Sequence, residues 1–282
     1  MLVIDFHLHI GRMYREDYPA RPALGPDQLV DWMNRVGIDV GVLLPLESPE
    51  GSWGYFLTED AVAARDQYPD RLIAFVCVDP RYPNAARLIR RAVEDWGCKG
   101  FGEHVCGLAF DDERNLALYA VCDELELPLD FEISTDLCWD EVGLPRLERC
   151  LKQFPHIRWC GHGPGFWSAI SGDDPRVGYP PGPVTPGGAL DRLLSEYDHL
   201  YADISAGSGY NALTRDPDFT AGFVERHWRK LLFGTDYLCH LDRPPILRWM
   251  QDVSVPAEVR DAIAFGNARQ VLGLAPPALA VT

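Results

Sequence analysis

The sequence predicts a (β/α)₈ TIM barrel, an α/β fold in which eight parallel strands alternate with helices. Two observations predict it: short apolar segments recur along the 282 residues, and a segment with helical periodicity follows most of them. Strands that alternate with helices are parallel and joined by right-handed crossovers, and eight such units close into a barrel. The predicted strands are Val3–Leu8, Val40–Leu44, Leu72–Val78, Cys98–Gly102, Leu129–Ile133, Ile157–Cys160, Leu200–Ile204 and Leu231–Gly234.

The predicted helices occupy most of the intervals between these strands. A doubly wound open sheet is the alternative arrangement. It is disfavoured because no Gly-x-Gly-x-x-Gly follows the first strand, where a dinucleotide-binding fold carries its phosphate turn. The segments with helical periodicity are Pro26–Val36, Thr58–Gln67, Asn84–Trp96, Glu113–Glu124, Leu144–Phe154, Gly188–Glu196, Asp218–Trp228 and Pro244–Gln251.

The longest interruption of this alternation is 161–188, which is rich in glycine and proline and is predicted to contain no regular helix or strand. Because it follows the sixth strand, we expect a long active-site loop over the carboxyl-terminal mouth of the barrel; a disordered insertion is the alternative. No second domain or internal repeat is evident. Residues 1–282 are therefore predicted to form a single domain, which ends in a closing helix at Pro256–Leu274.

The composition excludes several classes of partner. A formal net charge of −16 argues against binding of nucleic acid, which requires clustered Lys and Arg, and against docking to anionic membranes. No apolar run approaches the roughly 20 residues of a membrane span. The amino-terminal segment lacks the features of a secretory signal, so we expect a soluble, cytoplasmic protein whose eight cysteines are mostly buried thiols rather than disulfides. A small-molecule substrate is the expected partner, and a homo-oligomer is left open.

His7 and His9 are the first candidates for a functional site. In an extended strand, residues two apart point to the same side, so both imidazoles would face one ligand. Leu2, Ile4, Phe6 and Leu8 form an apolar row on the other side. The alternative is that one histidine is packed and the other is solvated, and the ends of the other strands decide between these interpretations.

Five predicted strands end in ionisable side chains, and the carboxyl ends of all barrel strands meet at one mouth. So many carboxylates and imidazoles in one place would repel one another unless a cation lay among them. Nitrogen and carboxylate ligands without cysteine suit Zn²⁺ best, with Mn²⁺ or Fe²⁺ as alternatives. The groups are His7 and His9 on strand one, Glu103 after strand four, Asp130 and Glu132 on strand five, His162 after strand six and Asp236 after strand eight.

These residues resemble the amidohydrolase superfamily, specifically the amidohydrolase-related branch that includes metal-dependent hydrolases and enzymes like aminocarboxymuconate-semialdehyde decarboxylase. The resemblance spans most of the chain, and the order of its segments is more specific than any one of them. The segments are Asp5-Phe6-His7-Leu8-His9, Cys98-Lys99-Gly100-Phe101-Gly102-Glu103, His156-Ile157-Arg158-Trp159-Cys160-Gly161-His162-Gly163, Leu232-Phe233-Gly234-Thr235-Asp236-Tyr237 and Gly266-Asn267-Ala268-Arg269.

The resemblance implies roles for individual residues. His7 and His9 would be metal ligands, and Asp236 would contact the metal and transfer a proton. His162 would either bind a second metal or polarise the substrate or water, which makes it a candidate for both the metal and the catalytic set. Glu103 follows Gly102 as in the TatD-like deoxyribonuclease branch, where the glutamate belongs to the metal centre.

The chain departs from the family pattern on the fifth strand. Where the family usually has a histidine, this sequence reads Leu129-Asp130-Phe131-Glu132. We interpret Glu132 as a replacement ligand, which would make the site more anionic. The alternatives are a salt bridge from Glu132 to Lys99 or another cation, and a site that has lost competence.

Several residues in the segments after the strands are candidates for binding substrate: Trp139, Trp167 and Tyr237 as walls of a pocket, and Arg12 as a partner for a substrate carboxylate. Aromatic residues that anchor loops, and an arginine that meets only solvent, are the alternatives. Asp203, at the end of strand seven, is a candidate to orient a metal ligand through a hydrogen bond.

The leading functional hypothesis is a metal-dependent hydrolase that uses a metal-activated water on an amide, ester or lactone of a small organic substrate. A metal-dependent non-oxidative decarboxylase on the same scaffold is the second hypothesis. A barrel that binds a ligand without turnover is the third. The sequence does not identify the substrate.

Overall fold

A computed structural model describes residues 2–12, 21–50 and 56–275. In these ranges eight short parallel strands alternate with helices, as the sequence predicts. Backbone hydrogen bonds join them into a three-stranded sheet in the order β1-β2-β3 and a five-stranded sheet in the order β4-β5-β6-β7-β8. The strands are β1 Ile4–Leu8, β2 Val40–Leu43, β3 Leu72–Ala74, β4 Phe101–His104, β5 Pro128–Glu132, β6 Arg158–His162, β7 Leu200–Asp203 and β8 Leu231–Leu232.

Two sets of backbone contacts close these sheets into one barrel. On one side Val76, just after β3, forms a parallel bridge with Phe101 of β4. On the other side the Phe6 amide of β1 donates to the Phe233 carbonyl after β8 at 2.8 Å, and Leu8 bridges to Tyr237. The predicted (β/α)₈ barrel is therefore confirmed, and the carboxyl ends of its strands share one mouth.

The helices follow the predicted order, with two additions. A short helix lies inside the segment predicted to be irregular, and a further helix directly follows β7. The helices are α1 Pro26–Val36, α2 Thr58–Gln67, α3 Ala85–Glu94, α4 Glu113–Glu124, α5 Pro145–Gln153, α6 Pro164–Ser168, α7 Ala189–Glu196, α8 Ala206–Thr214, α9 Pro217–His227, α10 Ile246–Asp252, α11 Ala257–Asp261 and α12 Asn267–Val271.

The prediction that 161–188 lacks regular structure is wrong for its first residues. β6 extends to His162, and α6 begins at Pro164, where proline's fixed φ and missing N–H suit the first helical turn. Residues 169–188 contain no helix or strand. The predicted third strand is also shorter than expected, because only Leu72–Ala74 forms a ladder with β2.

The closing helix predicted at Pro256–Leu274 is present as α11 and α12, joined by a π-helical turn at Ala262–Gly266. α12 belongs to the smaller of two apolar clusters, in which Val271 packs with Phe6 of β1 and Val42 of β2. All eight cysteines are buried free thiols. No helix among the described residues combines the length and the apolar character that a membrane crossing needs.

Candidate metal centre at the barrel mouth

His7 of β1 and His9, directly after this strand, point their Nε2 atoms at each other across 3.0 Å, and both side chains are completely buried. The Nδ1 of His9 lies 2.7 Å from the Leu44 carbonyl, and the Nδ1 of His7 lies 2.6 Å from Oδ2 of Asp203. A carbonyl oxygen can only accept, so Nδ1 of His9 carries the proton, and the Asp203 carboxylate selects the same tautomer for His7. In the neutral rings, both Nε2 lone pairs therefore face the same point.

Asp236 follows β8, the strand that pairs with β1 where the barrel closes, and its side chain reaches the same point. Its Oδ1 lies 3.2 Å from Nε2 of His9 and 3.8 Å from Nε2 of His7. The Asp236 amide donates to the His7 carbonyl at 2.9 Å, and its backbone adopts a left-handed φ of 54°. Aspartate tolerates this conformation better than most residues do. Gly234 allows the close approach, because a Cβ there would lie 2.9 Å from Cβ of His7 and 2.6 Å from Oδ1 of Asp203.

Glu103 contributes a second carboxylate from the end of β4. Its Oε2 lies 3.4 Å from Nε2 of His7 and 3.6 Å from Nε2 of His9, and its Oε1 lies 3.7 Å from Nε2 of His162. Burial alone would raise the pKa of Glu103, but the charge and hydrogen bonding of His7, with smaller effects of the other two histidines, lower it to about 2. Glu103 is therefore an anion at neutral pH.

His162, at the end of β6, is oriented through Ser205. The Ser205 hydroxyl donates to Oδ2 of Asp203 at 2.8 Å, so it can only accept from Nδ1 of His162, which lies 2.9 Å away. The Nε2 lone pair of His162 then faces Glu103 and the centre. Burial, and after it the charge of His7, lower the pKa of His162, which keeps this ring neutral. Asp203 thus orients two histidines, directly for His7 and through a serine for His162.

Asp5 fixes the position of β1 against β8. Its Oδ1 accepts from the amides of His7, at 3.1 Å, and Thr235, at 3.0 Å, while its Oδ2 accepts from the Thr235 hydroxyl at 2.6 Å. Complete burial raises the pKa of Asp5 to about 7, against the lowering effect of these hydrogen bonds. This carboxyl therefore sets the relative position of the two segments that carry His7 and Asp236.

β5 contributes two carboxyls to the site, those of Asp130 and Glu132, which differ in burial. Asp130 is completely buried and neither of its oxygens has a hydrogen-bond partner in the described part of the chain; Oδ1 lies 3.7 Å from Nδ1 of His7. Burial raises its pKa well above the usual value. Glu132 is partly exposed, and burial together with the charges of Glu103 and Asp236 raises its pKa to about 8. Over residues 2–12, 21–50 and 56–275, no ion pair joins Glu132 to Lys99.

The donor set fits a divalent metal. Nitrogens bound at about 2.1 Å to one metal lie about 3.0–3.4 Å apart for angles of 90–110°, and the His7 and His9 Nε2 atoms match this spacing. His7, His9 and Asp236 bring one donor atom each within 4.8 Å of one another, as do His7, Glu103 and His162. Glu132 belongs to no such group among the described residues. Its role as a replacement ligand stays a prediction.

Without a bound cation, protonation of His7 compensates part of the negative charge of the surrounding carboxylates. Burial would lower the pKa of His7, but the carboxylates of Glu103 and Asp203 raise it well above the usual value. A proton on Nε2 of His7 then satisfies the close contact with His9. A metal has to displace this proton, so metal binding and protonation of His7 compete.

The four predicted substrate-binding residues lie in different surroundings. Tyr237 is buried and stacks on Trp32 of α1, with ring centroids 3.8 Å apart. Trp167 is also buried, and its indole N–H donates to the Asp203 carbonyl at 2.9 Å. Trp139 lies under the guanidinium of Arg146, 4.4 Å from its ring centroid. All three side chains therefore have packing roles, and their contact with substrate stays a prediction.

Arg12 follows Gly11, which pairs with Leu24 at the exit of β1, and its side chain is half-buried. Its contact with a substrate also stays a prediction.

Tyr179, in the irregular segment after α6, is a further residue beside the mouth that the sequence pattern does not indicate. It lies against Gly207 of α8, and partial burial of its hydroxyl, followed by the charges of Asp236 and Glu132, raises its pKa. These contacts hold the segment beside the mouth, where the sequence predicts an active-site loop.

Sequence reasoning also missed Ser205 and Asp5. Ser205 follows β7 by two residues, which is a recognisable position at a barrel mouth, but its role depends on the facing histidine. Asp5 shares a strand face with His7 and His9, so the alternation contained a signal for it. Asp203, in contrast, does hydrogen-bond His7, as expected of a residue that orients a ligand.

The fold and this cluster define the class of protein: a (β/α)₈ barrel with histidines and carboxylates gathered at its carboxyl-terminal mouth. The sequence model of a family described as amidohydrolase matches residues 4–274. The chain therefore belongs to the amidohydrolase family, as its motifs predict. No sequence among curated proteins matches it significantly.

Solved structures share the fold at low sequence identity. An uncharacterised TIM-barrel protein from Bordetella bronchiseptica superposes with a TM-score of 0.71 at 18% identity, covering 97% of this chain and 99% of that one. A dihydroxybenzoic acid decarboxylase from Polaromonas sp. JS666, with bound manganese and the inhibitor 2-nitroresorcinol, has a TM-score of 0.61 at 15% identity, with 96% and 97% covered. A probable 2-pyrone-4,6-dicarboxylic acid hydrolase from Acinetobacter baumannii has a TM-score of 0.61 at 14% identity, with 97% and 100% covered.

Proposed function

We propose that the protein is a metal-dependent hydrolase that acts on an amide, ester or lactone of a small organic substrate. His7, His9 and Asp236 would hold a divalent metal, with Glu103 and His162 completing the site and Zn²⁺ as the first choice over Mn²⁺ or Fe²⁺. When bound, the metal would lower the pKa of a water molecule and polarise the substrate carbonyl. The remaining chemistry is that of the chain's own side chains.

The position of Asp236 is the observation on which this proposal depends. Its carboxylate lies 3.2 Å from Nε2 of His9, yet its side chain keeps 20% of its surface exposed, while those of His7 and His9 are buried. A carboxylate that touches both the ligand cluster and the open mouth can accept a proton from an attacking water and pass it to a leaving group. His162 is neutral, and its Nε2 lone pair faces the centre, where it would accept a hydrogen bond from the attacking water.

The charge of the site favours a neutral substrate over an anionic one. Three carboxylates, Glu103, Asp203 and Asp236, lie within 4 Å of histidine nitrogens, and a divalent cation would compensate two negative charges. The balance would remain negative even with Asp130 protonated, so a substrate carboxylate would meet repulsion. Amides, esters and lactones carry no such charge.

Decarboxylation is the second candidate, and the likeness to the manganese-containing dihydroxybenzoic acid decarboxylase supports it. In that reaction Asp236 or His162 would first take up a proton from solvent and then transfer it to the carbon from which CO₂ departs. Arg12, beside the mouth, is a cation in this region that could receive a substrate carboxylate. A ligand-binding barrel without turnover is the third candidate.

One experiment separates these three candidates. The protein is loaded in turn with Zn²⁺, Mn²⁺ and Fe²⁺ and offered two matched panels: neutral esters, lactones and amides, and aromatic carboxylic acids. Acid release from the first panel alone supports hydrolysis, and CO₂ release from the second supports decarboxylation. Less than about a tenth of an equivalent of bound metal beyond the amount that a His9→Ala variant retains would support the non-catalytic barrel.

The matched variants are Asp236→Asn and Asp252→Asn. Asp252 is an exposed carboxylate on α10, so its variant controls for the removal of one negative charge. Turnover should fall at least about 100-fold in Asp236→Asn and stay unchanged in Asp252→Asn, since general acid–base groups typically contribute 10²–10⁴-fold. Full activity of Asp236→Asn would contradict the proposed mechanism.

A further inference from the structure

A second group of metal-ligating side chains lies at the end of β4 and is separate from the group of His7 and His9. Cys106 Sγ is 3.7 Å from Cys138 Sγ, 4.0 Å from His104 Nε2 and 3.5 Å from the Asn115 side-chain oxygen. That oxygen lies 3.1 Å from His104 Nε2. These side chains come from the end of β4, the segments after β4 and β5, and helix α4. Four donor atoms therefore converge from four places in the chain.

The distances between these donors match a tetrahedral ion. Zinc binds sulfur at about 2.3 Å and nitrogen at about 2.0–2.1 Å, so the edges of a zinc tetrahedron are about 3.8 Å between two sulfurs and about 3.5 Å between sulfur and nitrogen. The observed separations of 3.7 and 4.0 Å lie within about half an ångström of these edges. The donor atoms of His104, Cys106 and Cys138 all lie within 4.8 Å of one another.

Burial and charge point to the same kind of ion. His104, Cys106, Asn115 and Cys138 are all buried, with 1% exposure or less. Two thiolates and one Zn²⁺ are neutral together, so the complete site carries no net charge into the core, whereas isolated thiolates there would be costly.

The backbone around the cluster is held in an unusual conformation. Cys138 has a left-handed φ of 41°, its amide donates to the Cys106 carbonyl at 2.7 Å, and the Trp139 amide donates to the Leu108 carbonyl at 3.2 Å. A non-glycine residue in this region of φ costs free energy and persists where the surroundings enforce it. Here the conformation brings the thiol of Cys138 to that of Cys106.

We propose that His104, Cys106 and Cys138, with Asn115 as the fourth donor, form a structural zinc site distinct from the centre at His7 and His9. Binding releases the two thiol protons and ties the segments after β4 and β5 to α4. Because β4 also carries Glu103, the ion would stabilise one wall of the barrel mouth.

Cobalt titration of the metal-stripped full-length protein tests this proposal. Co²⁺ bound by thiolates has a charge-transfer absorption in the near ultraviolet, which a site made only of histidines and carboxylates lacks. We expect one equivalent of this signal in the wild-type protein. It should be lost in Cys106→Ser and Cys138→Ser, and retained in Cys122→Ala, which removes another completely buried thiol.

The controls keep this test independent of catalysis. Asp236→Asn should lose turnover and keep the cobalt signal, so the failure of either proposal is recognisable by itself. Absence of the signal from wild-type protein at saturating Co²⁺ would overturn the zinc site even if the cysteine variants fail to fold. Fewer than eight thiols in unreduced, denatured protein would also overturn it, by showing that the pair is a disulfide.

Discussion

The Nε2 atoms of His7 and His9 lie 3.0 Å apart, and the Nδ1 of each ring already faces an acceptor, Asp203 for His7 and the Leu44 carbonyl for His9. Two lone pairs directed at one point repel each other unless a cation or a proton lies between them. The hydrogen bonds of the protein therefore prepare the site for a cation.

Replacing His9 by alanine should lower the bound metal by one equivalent relative to wild type, because it removes the nitrogen closest to Asp236 and leaves the Cys106 and Cys138 site intact. The control is His156→Ala, since His156 is an exposed residue that pairs with Asp123 on the surface. Metal content after loading and dialysis is the measurement, together with the thermal midpoint with and without metal. A His9→Ala variant that binds as much metal as wild type would show that the metal centre does not include His9.

Asp203→Asn should weaken metal binding about 10- to 100-fold, as is typical when a group that orients a ligating histidine is lost. It should also change the pH dependence. The charge of Asp203 helps to raise the pKa of His7, so in wild-type protein a proton competes with the metal up to a pH above the usual histidine value. The midpoint of metal loading against pH should therefore fall in Asp203→Asn. Asp198→Asn, on the exposed residue before β7, is the matched control, and equal midpoints in all three proteins would refute this effect of Asp203.

Glu132→Gln should stabilise the metal-free protein at alkaline pH. Burial, then the charges of Glu103 and Asp236, raise the pKa of Glu132 to about 8 in the folded state, above its ordinary value of 4.5. Between these values the folded state binds more protons than the unfolded state, so the free energy of unfolding falls as pH rises. If Glu132 titrated alone, each pH unit of this shift would correspond to ~1.4 kcal/mol of stability. Because neighbouring carboxylates share the shift, the total gain in the free energy of unfolding should be smaller, on the order of 1–2 kcal/mol.

Denaturant unfolding of the chelator-treated proteins at pH 5 and pH 9 measures this effect. The two proteins should have nearly equal stability at pH 5, and the variant should be the more stable at pH 9. Glu126→Gln, at a glutamate just before β5, is the control. A variant less stable than wild type at pH 9 would mean that Glu132 makes a favourable interaction as an anion.

Variants of Tyr237 distinguish a role in core packing from a role in substrate binding. Its ring stacks on Trp32 with an interplanar angle of 5°, so Tyr237→Ala should cost about 3–5 kcal/mol of stability, as for other large-to-small changes in a core. Tyr237→Phe keeps the ring and should cost less than about 1.5 kcal/mol. KM should be unchanged in Tyr237→Phe. A large rise in KM with unchanged stability would instead support the predicted contact with substrate.

Local patterns were sufficient for much of the architecture. The alternation of apolar and helical segments predicted the order of the strands, and the helices predicted between them lie within a few residues of observed ones at both ends. The helix Ala206–Thr214 was missed, because Ala206-Gly207-Ser208-Gly209 lacks a clear apolar period. The short helix beginning at Pro164 was hidden by the surrounding glycines and prolines. Such residues indicate loops in general, but proline also begins helices.

The sequence by itself determined the barrel and the presence of ionisable groups at its mouth, because strand alternation and strand ends are properties of neighbouring residues. Only the tertiary structure decided how these groups interact. The hydrogen-bond acceptor for His9 is the backbone carbonyl of Leu44, just after β2. The Ser205 hydroxyl lies between His162 and Asp203 and hydrogen-bonds both. The ring of Tyr237 packs in the core against Trp32. The physical reason is that hydrogen-bond partners depend on how distant strands align when the barrel closes, and this alignment is set by packing of the whole core.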